Sequence, residues 1–283
     1  MRVGGSFERT ATKHMALNKF VGQIAGAASC LPIANVVFID ACTGNGRPNR
    51  FSYTSSPEIF AHHMHWLADH RVAVHGYFIE SDSGTFAELE RSVPIIGQKL
   101  GWDRLAEHLT LIPGDYRSLD VINQLTRITA ETVVFIFIDP NSANKVGFPI
   151  SLKTILPRLT TWFCTLGCNA SGLKGYTVLA DRLKWLASFN DLLNSVKFHQ
   201  EAVLIRLEKD DNQWAYLINV PDQWRNRTEA VIGSLQKQWS KGMRYYWQTD
   251  ARFKVIVREL FLTKEEIKEY YQPRLFPNEG NFY

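Results

Sequence analysis

Carboxylates stand where apolar, β-rich runs of the sequence end. Asp40 closes "NVVFID", Glu80 closes "GYFIE", Asp115 follows "LTLIPG" and Asp139 closes "VVFIFID". In an open α/β sheet, ligands bind beyond the carboxyl ends of the strands, so these positions are the first candidates for chemistry. One acid at a strand end is common because loops are polar. Four successive strand ends that each carry an acid indicate a shared binding edge.

A short glycine-bearing turn follows the first of these acids. It reads D-A-C-T-G-N-G and contains Ala41, Thr43, Gly44 and Gly46. Glycine lets the backbone approach a ligand closely and adopt φ values that other residues disfavour. The turn differs from the G-x-G-x-x-G of dinucleotide-binding enzymes, so its spacing alone does not assign a ligand. Cys42 in the same turn is expected to be a packed thiol without a chemical role.

The acids and the turn together fit a ligand that has an adenosine and a charged amino-acid end. Glu80, with Asp82 beside it, is placed to accept hydrogen bonds from ribose hydroxyls, and the turn would hold the amino-acid end next to Asp40. Asp115 could accept from an exocyclic adenine amine while Tyr116 covers the ring. S-adenosylmethionine is such a ligand, and its ammonium and sulfonium charges both favour a site rich in carboxylates. The sequence therefore predicts that this edge binds S-adenosylmethionine.

The fourth strand end carries the signal for a methyl acceptor. Asp139, Pro140 and Asn141 are similar to the start of the D-P-P-Y motif, with which some methyltransferases hold the exocyclic amine of a base. These three residues are predicted to be catalytic. Ser142 replaces the aromatic residue of that motif, and Phe148 in the following loop could take its place. The other interpretation is that Pro140 ends the strand and Asn141 turns the chain.

The elements that would position these residues alternate between strands and helices. Seven strands are predicted, at residues 35–41, 73–81, 108–115, 132–140, 160–167, 201–209 and 214–221, with helix-sized segments at 57–71, 83–100, 118–130 and 151–158. Nearly all-apolar strands that alternate with helices predict a mostly parallel sheet with helices on both faces. The last two strands flank "DDNQ", which predicts an antiparallel hairpin at one edge. The predicted fold class is therefore α/β.

Composition limits the class of protein. The chain has 283 residues, a net charge of +4 and four cysteines, at positions 30, 42, 164 and 168. They form no C-x-x-C pair, so we expect reduced thiols and neither a metal site nor a disulfide framework. The apolar runs are too short to cross a bilayer and the first residues lack an apolar leader, which predicts a cytoplasmic protein without a membrane partner. The mild positive charge permits nucleic acid as a partner without requiring it.

In the order of its motifs the sequence resembles the class I S-adenosylmethionine-dependent methyltransferases, across residues 15 to 220. More narrowly, it resembles the three-Cys-motif partner protein family through "FIDACTGNGRP", "TSSPEIFAHHM", "YFIESD", "IPGDYRS", "FIFIDPN" and the lysine-bearing upstream segment "HMALNKFVGQIA". The resemblance implies a Rossmann-like fold and S-adenosylmethionine as the cofactor. The turn "ACTG" and the segment "DPNS" depart from the aromatic-Ala-Gly and D-P-aromatic-Gly patterns of such proteins. This departure bears on which acceptor is methylated more than on which cofactor is bound.

Residues 223–283 differ in character from residues 1–222, which are predicted to form the methyltransferase domain. The later part is expected to be a mainly helical appendage, and Thr263 with Glu266 fits a capping box that starts a final helix. Basic residues beside exposed aromatic ones suit unpaired nucleic acid, but buried and solvated faces of helices would give the same mixture. The mixture consists of Trp224, Arg225, Arg227, Lys237, Trp239, Lys241, Arg244, Tyr245, Tyr246 and Trp247.

Two functional interpretations follow from the sequence. The first is a methyltransferase that modifies nucleic acid at an exocyclic amine such as adenine N6. The second is a non-catalytic protein that keeps the methyltransferase fold and works through a protein partner. Methyl transfer to a protein or to a small molecule is a further alternative.

Overall fold

The structure is a computed structural model that describes residues 7–30, 35–48, 54–125, 128–129, 132–139, 161–168, 178–194, 200–209, 212–238 and 243–271. Its strands are β1 (Asn35–Asp40), β2 (Ala73–Glu80), β3 (Leu109–Pro113), β4 (Thr132–Ile138), β5 (Thr161–Cys168), β6 (Gln200–Lys209), β7 (Asn212–Pro221) and β8 (Met243–Trp247). Its helices are α1 (Phe7–Ala28), α2 (Ser56–Asp69), α3 (Ser83–Leu100), α4 (Leu119–Ile122), α5 (Leu179–Asn194), α6 (Arg225–Gln238), α7 (Phe253–Phe261) and α8 (Lys264–Tyr271). Short 3-10 turns lie at Leu105–His108 and Asp222–Trp224.

The described strands form one sheet in the order β3-β2-β1-β4-β5-β7-β6-β8. Strands β1 to β5 are parallel, whereas β7 runs antiparallel to β5 and β6, and β8 runs antiparallel to β6. The α/β class and the β6–β7 hairpin are confirmed. The predicted count of seven strands is wrong, because β8 adds an eighth at the edge beside β6. Its five residues are too few, and its aromatic and basic side chains too similar to those of the surrounding helices, for the sequence pattern to reveal it.

Helices cover both faces of the sheet, as predicted. Val36 and Phe38 of β1 belong to one hydrophobic core, which also contains side chains from α1, α2, α3 and α6. Val37 and Ile39 belong to the other core, with side chains from α5 and α7. Successive side chains of a strand point to opposite faces, so a strand buried on both sides has to be apolar throughout.

The strand order reverses between β1 and β4. From β1 the chain proceeds to β2 and β3 toward one edge, whereas β4 and β5 lie toward the other. Open α/β sheets bind ligands at such a switch point, in the crevice beyond the carboxyl ends of the strands. Asp40 lies opposite Phe78 of β2 and Phe137 of β4, so Glu80 and Asp139 each follow two residues later at the same edge.

The part of the chain after residue 222 packs on the sheet through α6, α7 and β8. Helix α6 lies in the first core and α7 in the second. The predicted capping box is confirmed at the start of α8, where Thr263 N–H donates to Glu266 Oε2 (2.8 Å) and Glu266 N–H donates to Thr263 Oγ1 (3.3 Å). The division into units 1–222 and 223–283 stays a prediction, although β8 belongs to the common sheet.

Candidate functional site

The turn after β1 is held by both neighbouring strands. Ala41 N–H donates to the Phe137 carbonyl of β4 (2.9 Å), and Thr43 N–H donates to the Ile79 carbonyl of β2 (3.1 Å). The Thr43 hydroxyl donates to the Asp40 carbonyl (3.0 Å). The side chains of Ala41 and Thr43 are buried, so these two predicted cofactor residues fix the shape of the turn through local hydrogen bonds and packing.

The two glycines of the turn have different reasons to be glycine. Both have positive φ, 69° at Gly44 and 72° at Gly46, a region that L side chains rarely adopt. A Cβ at Gly46 would come within 3.1 Å of Leu89 and Ser92 on α3, so this glycine lets the turn pack closely against that helix. A Cβ at Gly44 would meet no atom within 4 Å. Gly44 therefore borders open space, as a residue that faces a ligand would.

Glu80 links the glycine turn to the end of β2. Its Oε2 accepts from Gly44 N–H (3.0 Å) and its Oε1 accepts from Asp82 N–H (2.8 Å), and the side chain is buried. Asp82 is exposed and caps α3 by accepting from Thr85 N–H at Oδ1 (2.8 Å). Glu80 is thus part of the framework of the site, and Asp82 has a structural role at the helix terminus.

Asp40 is completely buried at the switch point. Its Oδ1 accepts from Cys42 N–H (3.3 Å), whereas its Oδ2 has no hydrogen-bond partner among the described residues. Burial raises the pKa of this carboxyl to about 7, because an ionised group loses its hydration there. The nearby Ser56 hydroxyl and the Cys42 N–H oppose that shift, while the charges of Asp139 and Glu80 add to it.

The raised pKa of Asp40 predicts a pH dependence of stability. The unfolded chain releases this proton near the ordinary value of 3.8 and the folded chain near 7, so the folded state holds more protons between these values. Stability therefore falls as the pH rises through that window. Asp40→Asn keeps an oxygen for the Cys42 N–H and removes the titration. Between pH 4 and pH 8 the parent should lose about 2–4 kcal/mol more unfolding free energy than the variant.

Urea denaturation at pH 4, 6 and 8 measures this difference. Asp103→Asn, at an exposed carboxyl, is the matched control and should leave the profile of the parent unchanged. Parallel profiles for the parent and Asp40→Asn would show that Asp40 does not retain its proton on folding.

Asp139 forms an ion pair with a lysine from α1. Lys13 Nζ lies 2.6 Å from Asp139 Oδ1 and 2.5 Å from Oδ2, and the two side chains are only 12% and 17% exposed. Tyr216 of β7 donates its hydroxyl to the Lys13 carbonyl (3.1 Å), and its ring centroid lies 5.9 Å from Lys13 Nζ. At Gly167 of β5 a Cβ would lie 2.6 Å from Asp139 Oδ1, so the carboxylate packs directly on the glycine backbone.

Sequence reasoning missed Lys13. The upstream segment "HMALNKFVGQIA" contains Lys19, which instead donates to the Ser234 hydroxyl of α6 (3.1 Å). A usable signal was present, because Lys13 precedes the buried residues Leu17 and Phe20 at helical spacing. That spacing places the lysine at the end of the buried stripe of α1, where it can reach the sheet.

Two groups that keep their protons lie close enough to Asp139 to be affected by its charge. Burial raises the pKa of the Cys42 thiol and of the Tyr216 hydroxyl well above their ordinary values, and nearby carboxylates add to both shifts. A thiol that keeps its proton is a poor nucleophile. Cys42 therefore has the packing role expected from the sequence.

The end of β3 adjoins Glu80. Asp115 and Tyr116, which were predicted to contact adenine, have other contacts there. Gly114 N–H donates to the Glu80 carbonyl (2.9 Å), which places the β3 turn beside β2. Asp115 forms a bidentate ion pair with Arg117, through Nε at 2.8 Å to Oδ1 and through a second guanidinium nitrogen to Oδ2. Tyr116 is buried in the second core. The structure therefore presents an Asp115–Arg117 pair at this turn and leaves little of the Tyr116 ring exposed.

Several predicted residues lie outside the described ranges. Among the proposed catalytic residues, this applies to Pro140 and Asn141. Ser142, Phe148, Trp239 and Lys241 also lie outside them.

The basic and aromatic residues of the C-terminal part are divided between core and surface. Trp224 and Trp247 are buried, and the guanidinium of Arg225 lies 4.4 Å from the Trp247 ring centroid. Arg244 and Tyr245 on β8 are exposed. The buried tryptophans are part of the core, whereas Arg227 and Lys237 are exposed on α6.

The described ranges contain neither a candidate metal site nor a candidate membrane-spanning helix. Those ranges contain no group of three or more His, Cys, Asp or Glu side chains that could hold a metal ion. No helix among them is both long and apolar enough to cross a bilayer.

The chain matches no known protein family and no curated protein by sequence. The three-Cys-motif partner resemblance is therefore not confirmed. Among solved structures, protein LPL1258 from Legionella pneumophila is similar with a TM-score of 0.51 and 12% identity, over 87% of this chain and 98% of that one. That similarity shows a shared fold.

Two further solved structures are similar with lower TM-scores. Cofactor-bound Rv0187 from MTB is 15% identical with a TM-score of 0.46, over 78% of this chain and 83% of that one. A putative rRNA-methylase from Clostridium thermocellum is 14% identical with a TM-score of 0.41, over 71% of this chain and 96% of that one.

Proposed function

We propose that the chain is an S-adenosylmethionine-dependent methyltransferase that modifies nucleic acid at an exocyclic amine, such as N6 of adenine. One observation carries the proposal. At the switch point of the sheet, an open glycine turn beside the buried Asp40 adjoins Asp139 at the end of the neighbouring strand β4. The first feature suits the charged end of the cofactor, and the second suits an acceptor nitrogen.

The residues at the end of β1 fit the amino-acid end of the cofactor. Asp40 Oδ2 makes no hydrogen bond to a described residue, and Gly44 borders open space. An ammonium group in this space would supply that oxygen with a donor and offset the cost of burying an ionised carboxylate. In this proposal Gly46 and Thr43 keep the turn in place.

The ends of β2 and β3 would hold the adenosine. Each carboxylate oxygen of Glu80 accepts one backbone N–H and has a further lone pair for a ribose hydroxyl. Asp82 lies beside it at the start of α3. Asp115 would share its carboxylate between Arg117 and the adenine amine, and the buried Tyr116 would support the turn from below.

Asp139 would hold the acceptor. When bound, S-adenosylmethionine supplies a methyl group on a positively charged sulfur. An exocyclic amine is a poor nucleophile because its lone pair is delocalised into the ring. The Asp139 carboxylate can accept from its N–H, orient the nitrogen and stabilise the positive charge that develops on it. The Pro140 carbonyl would be a second acceptor, and Asn141 would complete the loop.

A non-catalytic protein of the same fold is the second candidate. The Lys13–Asp139 ion pair favours it, because a carboxylate bound to a lysine on both oxygens is less available to an acceptor.

Methyl transfer to mixed nucleic acids distinguishes the two candidates. S-adenosylmethionine with a tritiated methyl group is incubated with the protein and with separate DNA and RNA pools. We expect label in at least one pool. A protein that binds the cofactor but labels neither pool would favour the non-catalytic partner.

We further expect nucleic acid to contact the exposed side chains of β8. Replacing Arg244 and Tyr245 together by alanine should weaken binding of single-stranded nucleic acid roughly tenfold, since one stacked base contributes about 1–3 kcal/mol. It should also reduce the slope of log affinity against log salt by about 0.7, the effect of one lost phosphate contact.

Mobility shifts at two salt concentrations provide this measurement. Arg91→Ala on the exposed side of α3 is the matched control for the loss of a surface cation. Equal binding by the parent and the β8 variant would remove β8 from the nucleic-acid surface.

A further inference from the structure

We propose that Lys13 occupies the place of the acceptor nitrogen in the free protein, and that an acceptor has to displace it from Asp139. The proposal rests on the proposed function and extends it to the chemical class of group that the Asp139 subsite accepts. Lys13 would then determine specificity by competing with incoming acceptors.

The contact has the chemistry that an acceptor would use. The Lys13 ammonium contacts both carboxylate oxygens of Asp139, at 2.6 and 2.5 Å. Asp139 lies at the switch point two residues beyond the level of Asp40, and its carboxylate rests on the Gly167 backbone. A nitrogen that presents N–H groups can replace the ammonium at these oxygens, because an ionised carboxylate accepts hydrogen bonds and donates none.

The Lys13 side chain can move away from Asp139 without a displacement of helix α1. Tyr216 donates its hydroxyl to the backbone carbonyl of Lys13, and this hydrogen bond does not depend on where the lysine side chain lies. A lysine is a flexible chain that ends in a compact charge. The Arg182–Glu266 pair shows the contrast, since its planar guanidinium binds both carboxylate oxygens and also the Phe261 carbonyl.

The subsite should therefore take primary ammonium ions and exocyclic amino groups, and reject nitrogen without N–H. Removing the Lys13 side chain should expose Asp139 to small ammonium ions in solution. In the parent, the tethered ammonium has a high effective concentration and excludes them.

A thermal melt of Lys13→Ala with two probe salts tests this inference. The probes are propylammonium chloride, which has three N–H donors, and tetramethylammonium chloride, which has none, each at about 100 mM and thus at equal ionic strength. We expect propylammonium to raise the Tm of Lys13→Ala by about 2–5 °C over tetramethylammonium, and to leave the parent unaffected. Lys19→Ala, which removes a surface lysine of the same helix, is the matched control and should behave as the parent.

A second substitution assigns the binding to Asp139. Adding Asp139→Asn to Lys13→Ala should abolish the difference between the two salts. Equal shifts in the parent and in Lys13→Ala, or no difference between the salts in Lys13→Ala, would overturn the inference. If Lys13→Ala does not fold, Lys13→Ser replaces it with the same expectation. The melts contain no cofactor. A negative result in the melts therefore speaks against the role of Lys13, whereas a negative cofactor titration speaks against the proposed function.

Discussion

Replacing Asp139 by alanine should lower methyl transfer by a factor of about 10² or more, as expected when a preorganised electrostatic contact to the reacting group is lost. Cofactor binding should stay close to that of the parent, because the proposed cofactor contacts are at Asp40, Gly44 and Glu80. In the proposed function, the Asp139 carboxylate at the end of β4 holds the acceptor nitrogen beside the glycine turn. Rates with tritiated S-adenosylmethionine on the preferred nucleic acid, together with calorimetric titration of the cofactor, measure the two effects separately.

The Arg182–Glu266 ion pair provides the control for a loss of activity that comes only from a less stable fold. Arg182 and Glu266 are 8% and 19% exposed, close to the 12% and 17% of Lys13 and Asp139, and they are associated with the opposite face of the sheet. Glu266→Ala should destabilise the fold to a similar extent and retain activity. A folded Asp139→Ala protein with the activity of the parent would contradict the acceptor role.

Gly167→Ala should reduce methyl transfer by about tenfold or more, although it adds one methyl group. The new Cβ would lie 2.6 Å from Asp139 Oδ1, 2.8 Å from its Cγ and 3.0 Å from the Tyr216 ring. Asp139 then has to move, and a displacement of about 1 Å at a reacting group can cost about 10² in rate. Turnover under saturating cofactor provides the measurement.

Gly233→Ala is the matched control for this substitution. It lies in α6, where a Cβ would meet no atom within 4 Å, so the change should stabilise the helix by up to about 1 kcal/mol and leave turnover unaltered. Turnover of Gly167→Ala equal to that of Gly233→Ala would show that the position of Asp139 is not critical.

The sequence was sufficient for the central sheet because its strands are apolar on both sides. Strands β1, β2 and β4 are continuous buried runs, and such runs between helices are typical of parallel strands that are covered on both faces. Strand β8 was missed because it lies at an edge, where two of its five side chains are exposed and its alternation is short. The burial of Trp224 and Trp247 depends on contacts with distant strands, which local composition does not encode.

The sequence predicts which edge of the sheet carries the candidate site, but it does not predict the contacts between the residues of that site. Parallel strands bring Asp40, Glu80 and Asp139 to one edge whatever the loops contain. The pairing of Asp139 with Lys13 joins residues 126 positions apart, and the pairing of Glu80 with Gly44 N–H depends on the local shape of the turn. The sequence predicts Asp115 as an acceptor for the adenine amine, but nothing in "GDYRS" reveals that Arg117 pairs with the same carboxylate.

Calorimetric titration of S-adenosylmethionine into the parent, Gly44→Ala and Gly101→Ala tests the central claim most directly. Both glycines have φ near +67 to +69° and no atom within 4 Å of a new Cβ, so both variants carry similar backbone strain, but only Gly44 is at the proposed site. We predict one-to-one binding to the parent and to Gly101→Ala, and affinity at least about tenfold weaker, or about 1.4 kcal/mol, for Gly44→Ala. No binding to the parent, or equal affinity in all three proteins, would contradict the account.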